Sequence, residues 1–73
     1  MKLIKETRIT GKFDGFDQDK IFTLASGGKY KQKSPIHRYH FGYRPYVKVF
    51  RDGLRWYLDV IGMNQIVEVI KIY

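Results

Sequence analysis

Cysteine is missing from this chain, which removes disulfides and thiolate metal sites from its means of stabilisation. Helical patterning is missing too: no stretch carries apolar residues at i, i+3, i+4 and i+7 between capping residues. Long apolar runs are absent, the longest falling far short of the ~20 residues a membrane span needs. The opening Met1-Lys2-Leu3-Ile4-Lys5-Glu6 has no signal-peptide core. These absences predict a protein of the cytoplasm with no membrane partner. Proline occurs only at Pro35 and Pro45.

Acidic residues are scarce in one region. Between Lys29 and Arg51 the charged residues are Lys29, Lys31, Lys33, Arg38, Arg44, Lys48 and Arg51, all basic. Elsewhere the two signs balance, so the net charge of +7 comes entirely from this central third. Such asymmetry points to an anionic partner. Solubility alone is the competing explanation, since small proteins carry excess charge for that reason as well.

The chain has 73 residues, which fits one domain over 1–73 with a small core. Aromatic residues make up 16% of it, and each buries a large area, a useful property where no disulfide contributes. Turn residues recur at short intervals: Asp14-Gly15, Asp17 to Asp19, Ser26-Gly27-Gly28, Gly42, Asp52-Gly53 and Gly62 to Asn64. The segments between them are rich in Ile, Val, Phe, Tyr and Thr, which suit a pleated surface. The predicted fold is all-β, a small antiparallel barrel of five to six strands.

Asp52-Gly53 is a two-residue turn signal of the type I′ kind. Closing the chain there pairs Arg51 with Leu54, Val49 with Trp56 and Val47 with Leu58. Val47, Val49, Trp56, Leu58 and Val60 then share the inner face. Tyr46, Lys48, Phe50, Arg55, Tyr57 and Asp59 take the other. The first strand of this hairpin is predicted to begin far upstream. Its odd positions His37, Tyr39, Phe41, Tyr43 and Pro45 would continue the apolar side of Val47 and Val49. A bend is expected near Gly42 or Pro45, because proline cannot donate to a ladder. Further strands are expected at Thr7 to Phe13, Lys20 to Ala25, Lys29 to Gln32 and Ile66 to Ile72. The last is apolar on both sides apart from Glu68, as in a strand that is covered on two faces or closes a barrel.

The segments Phe13-Asp14-Gly15-Phe16, Ile21-Phe22-Thr23-Leu24 and Gly27-Gly28-Lys29-Tyr30-Lys31-Gln32 resemble those of a family of small uncharacterised bacterial proteins. So do Tyr39-His40-Phe41-Gly42-Tyr43-Arg44-Pro45 and Trp56-Tyr57-Leu58-Asp59-Val60-Ile61-Gly62. The resemblance runs from Gly11 onward. It departs at Tyr30, where the family tends to have Trp, and at Gly27, where it tends to have Asn. It implies an SH3-like barrel and no particular activity.

Catalytic chemistry finds little support. Ser26 and Ser34 lack a nucleophile frame, and Ser26 reads as a turn residue. His37 and His40 are three apart, which on a strand sends them to opposite faces, so no metal site is expected. Asp14, Asp17 and Asp19 lack the spacing of a calcium loop and read as turn-closing residues. No cofactor is expected and no enzyme activity. The candidate site is instead a binding face of Arg38, His40, Arg44, Tyr46, Lys48, Phe50, Arg55 and Tyr57. There cations would neutralise phosphates and rings would stack bases. The same side chains also suit cross-strand cation–π pairs (Phe50 with Arg55, Lys48 with Tyr57) or burial in a homodimer. The expected role is a non-enzymatic binding module, for nucleic acid or another anionic partner, or for protein interaction and self-association.

Overall fold

The computed structural model describes residues 1–72, and every regular element in them is a strand. In chain order these are β1 (Lys2–Arg8), β2 (Lys12–Phe16), β3 (Ile21–Thr23), β4 (Lys29–Gln32), β5 (Arg38–Tyr43), β6 (Tyr46–Asp52), β7 (Arg55–Val60) and β8 (Ile66–Lys71). Six form an antiparallel sheet in the order β1-β6-β7-β8-β4-β3, while β2 and β5 pair as a separate ribbon. The sheet curls until its edge strands meet at a bridge between Ile9 and Leu24. There Ala25 N donates to Arg8 O (2.7 Å) and Thr10 N donates to Thr23 O (2.9 Å). The architecture is therefore a half-barrel: the all-β class is as the alternation and turn spacing predict, but there are eight strands instead of five to six, because the long upstream segments are divided and pair as a separate ribbon.

Period-2 alternation decides what lines its interior. Val47 and Val49 of β6, Leu58 and Val60 of β7, Val67 and Val69 of β8, and Tyr30 and Gln32 of β4 all point inward and are buried. At one end Phe13, Phe16 and Phe22 close the core with ring centroids 5.8 to 6.2 Å apart. Two of these contacts are edge-on, and such pairs add about 0.5–1.5 kcal/mol beyond area burial. Gln32 is the buried polar residue, and its bonding capacity is used. Its Oε1 accepts from Asp17 N, and its Nε2 donates to Ser34 O and Ile36 O, each at 2.8 Å. One side chain thus pins the β2–β3 turn to the segment leading into β5.

The β6–β7 hairpin keeps the predicted faces but not the predicted partners. Asp52 pairs with Arg55, Arg51 with Trp56, Phe50 with Tyr57, Val49 with Leu58, Lys48 with Asp59 and Val47 with Val60. The turn's central residues are Gly53 and Leu54. Gly53 has φ +62° and Leu54 is not in the left-handed region, which is the type II′ arrangement with glycine first. The partners move by two residues relative to the type I′ expectation. Because a two-residue shift preserves parity, every side chain keeps its side of the sheet. Trp56 packs inward, 5.9 Å from Tyr30, and Tyr57 faces outward.

Two further expectations change. The predicted Thr7–Phe13 strand is divided at Gly11 (φ +65°), and the long strand ending in the hairpin is divided at Arg44 (φ +49°) and Pro45. The two breaks lie side by side: Arg44 N donates to Gly11 O (2.8 Å) and Ile9 N to Pro45 O (3.0 Å). The paired segments β1–β2 and β5–β6 thus bend together at one level, and the ribbon leaves the sheet there. The second change concerns β8. It lies between β7 and β4 with Val67 and Val69 buried, but Ile66, Ile70 and Ile72 remain exposed. Only one of its faces is covered.

Candidate functional site

The eight residues of the predicted binding face fall in two places. Tyr46, Lys48, Phe50, Arg55 and Tyr57 do share the outward face of β6 and β7. Neighbouring strands bring carboxylates to the same face, since Glu6 pairs with Lys48, Asp59 with Lys48 from the other side, and Glu68 with Tyr57. Glu6 lies 3.9 Å from Lys48 Nζ. The Tyr57 hydroxyl and then Glu68 push the Arg55 pKa upward. Arg8 covers the Tyr46 ring at 4.1 Å and donates to its hydroxyl at 2.6 Å. The cation–π pairs expected from the turn, Phe50 with Arg55 and Lys48 with Tyr57, are replaced by Phe50 with Tyr57 and Lys48 with Asp59. This face is charge-balanced, and its rings are partly covered.

Arg38 and His40 lie elsewhere, on the side of β5 that faces the β7–β8 turn. Arg38 Nη1 donates to Met63 O (2.5 Å), and His40 Nε2 lies beside Gly62. Arg44 sits at the kink between β5 and β6.

The bend at Arg44 exposes residues that the alternation assigns to the interior. In an unbroken strand Tyr39, Phe41 and Tyr43 would share the buried side of Val47 and Val49. In the ribbon they stand in a row on its outward face, with 76%, 57% and 70% of their surfaces accessible. The β2–β5 pairing explains this. β2 sends Phe13 and Phe16 into the core and β5 hangs on its far side, contributing nothing to the buried cluster. The pairing depends on Gly15. Its φ is +116°, and a Cβ built there would lie 2.0 Å from Arg38 O and 2.9 Å from Tyr39 Cα. No side chain other than hydrogen fits between the strands at this point.

Cations border the row. Lys12 is the Cα partner of Tyr43 and so points to the same side, while Arg44 follows Tyr43 directly. Neither forms an ion pair among the described residues. The nearby carboxylates are all engaged: Asp14 with Lys20, Asp17 with His37 (3.2 Å) and Asp19 with Lys31 (3.6 Å). The His37 hydrogen bond holds the Asp17 carboxyl below its ordinary pKa, and burial lowers that of Lys20. Beyond Tyr39 a shallow cleft runs along the Asp14–Lys20 turn, walled by His37 and Arg38.

The central basic excess does not form one patch. Lys31, Lys33 and Lys48 each meet a carboxylate, and Arg51 lies 5.3 Å from the Trp56 ring centroid. Sequence reasoning missed Tyr39, Phe41 and Tyr43 as surface residues. For the two tyrosines the available signal was their type, because tyrosine tolerates water at its hydroxyl end far better than the Val and Leu of true inward positions; Phe41 offered no such signal. Among the described residues no group of three or more His, Asp or Glu side chains could hold a metal ion. No helix there is long and apolar enough to cross a membrane. Comparison with protein-family models, curated proteins and solved structures returns no match.

Proposed function

We propose that this protein is a non-enzymatic binding module whose ligand is nucleic acid, held on the outward face of the β2–β5 ribbon. The observation that carries the reading is the row of exposed rings Tyr39, Phe41 and Tyr43 beside Lys12 and Arg44, two cations without a carboxylate partner among the described residues. Rings offer stacking area and the cations offer phosphate neutralisation with counterion release. The net charge of +7 adds long-range attraction for a polyanion. The site thus moves from the charge-balanced hairpin face to the ribbon. The sequence resemblance to small bacterial barrels supports an SH3-like class for the fold, and a cytoplasmic setting agrees with such a ligand.

The test is oligonucleotide binding by fluorescence anisotropy across a salt series. Affinity should fall steeply with salt, and Lys12→Ala and Arg44→Ala should each reduce the log–log slope by about one. Undetectable binding at low salt, or binding indifferent to salt, would remove the reading.

A second reading has one observation behind it. Ile66, Ile70 and Ile72 leave apolar area on the outer face of β8, which self-association would cover. Light scattering at high concentration separates the two: a dimer dispersed by Ile70→Asp supports self-association, and a monomer counts against it.

A further inference from the structure

The spacing of the three rings restricts the kind of nucleic acid they can engage. Alternate residues of a strand project from one face at intervals of about 6.8 Å. Tyr39, Phe41 and Tyr43 are alternate residues of one strand, β5, and all are exposed, although the ladder to β2 shifts register between Phe13 and Gly15. Stacked bases within one strand of a duplex rise by only ~3.4 Å. Neighbouring rings are therefore about two base steps apart. Three successive bases can each meet a ring only if the strand is drawn out and the bases are parted from one another.

A duplex offers no such faces. Its bases are covered above and below by their neighbours and present only edges in the grooves. A two-stranded ribbon does fit a major groove, but it reads base edges there with polar or charged side chains. The outward side of this ribbon carries three aromatic rings instead, with Lys12 at one end. Asp14, the acidic residue of β2, is tied to Lys20. Such a surface has large π-area and few hydrogen-bonding groups, which suits unpaired bases of any identity.

We infer that the ribbon is a platform for single-stranded nucleic acid, taking three consecutive unstacked nucleotides on Tyr39, Phe41 and Tyr43, with the phosphates at the Tyr43 end met by Lys12 and Arg44. This rests on the nucleic-acid reading above and narrows it. DNA and RNA share the chemistry the platform uses, an unpaired base on a phosphodiester chain.

The test uses the full chain with fluorescein-labelled 12-mers of thymidine and of uridine, the matching 12-base-pair duplex, and a polyglutamate peptide as competitor. Single strands should bind at least tenfold more tightly than the duplex, and polyglutamate of equal charge should compete poorly. Y39A, F41A and Y43A should each weaken single-strand binding by about 5- to 150-fold, the range for loss of one stacked base, without changing the salt slope. Phe41→Leu should lose nearly as much as Phe41→Ala, because it keeps an apolar contact but has no π-face. Tyr39→Phe should retain affinity. These exposed substitutions should leave the thermal unfolding curve in place, so a loss of binding is not a loss of fold. The thymidine and uridine arms show whether the sugar matters.

Duplex binding as tight as single-strand binding overturns this inference and leaves the broader reading standing. Equal competition by polyglutamate overturns it too, since charge alone would then suffice. So does unchanged affinity in the three alanine variants. If neither duplex nor single strand binds at low salt, the inference and the broader reading fall together.

Discussion

Gly15→Ala is the substitution that tests most directly how the ribbon is built. The added Cβ would lie 2.0 Å from Arg38 O, 2.8 Å from His40 N and 2.9 Å from Tyr39 Cα. All three are backbone atoms, so no side-chain rotation relieves the clash. Strand β5 must retreat by roughly 1 Å or more to restore van der Waals separation. That movement loosens the ladder at Gly15–Tyr39 and Phe16–Arg38, where each hydrogen bond is worth about 0.5–1.5 kcal/mol net. The φ of +116° adds about 1–3 kcal/mol of strain for any residue with a Cβ. The expected destabilisation is about 3–5 kcal/mol, against a total of ~4–11 kcal/mol for a chain this size. Gly42→Ala is the matched control on the facing strand. Its φ is unstrained and its Cβ would meet nothing within 4 Å, so the change should fall within about 0.5 kcal/mol or stabilise slightly. Urea unfolding followed by Trp56 fluorescence measures both, and amide hydrogen exchange locates the damage in β5. A Gly15→Ala protein within about 1 kcal/mol of wild type, or a Gly42→Ala protein equally weakened, would refute the close-approach argument.

Other substitutions probe different parts of the structure. Gln32→Leu leaves Asp17 N, Ser34 O and Ile36 O without their buried partner and should cost about 2–4 kcal/mol. In a thermal melt that is a fall in Tm of at least about 8 °C, and an unchanged melt would contradict the pinning role. His37→Ala removes the main cause of the lowered Asp17 pKa, so the Asp17 carboxyl should titrate closer to 3.8 in a carbon-detected NMR titration. Because the folded pKa is depressed, this interaction favours the fold above the ordinary carboxylate value. The benefit disappears as the pH falls through the lower folded value, so His37→Ala should lower stability slightly at neutral pH, flatten the acid dependence, and differ least from wild type in acid. Tyr39→Ser and Tyr43→Ser, at rings mostly in water, should change stability by no more than about 0.5 kcal/mol by urea unfolding. A larger loss would mean these rings are packed.

The inward set Val47, Val49, Leu58 and Val60 was legible although the hairpin partners were not. Turn chemistry chooses between Asp52-Gly53 and Gly53-Leu54 as the central pair, and the two choices differ by two residues on one strand. Parity survives that shift, so which side chain faces inward was robust while which side chain it opposes was not. The same parity argument failed across Arg44. It assumes a continuous strand, and one residue with φ +49° before Pro45 turns the chain out of the sheet. Tyr39, Phe41 and Tyr43 then emerge in water instead of beside Val47.

Alternation, turn residues and lack of helical spacing determined by themselves that this chain is all-β, where most of its turns lie and which hairpin residues are buried. These are local properties, encoded within a few residues of one another. Only the tertiary structure decided that Glu6 and Glu68 join Asp59 in balancing the hairpin's cations, because these two arrive from strands β1 and β8 outside the hairpin. It also decided that the ribbon's rings stand exposed, because that outcome depends on two kinks meeting at Gly11 and Arg44 and on Gly15 allowing β5 to close against β2. A strand's pattern specifies its two faces, but its neighbours and their direction specify which face meets the core.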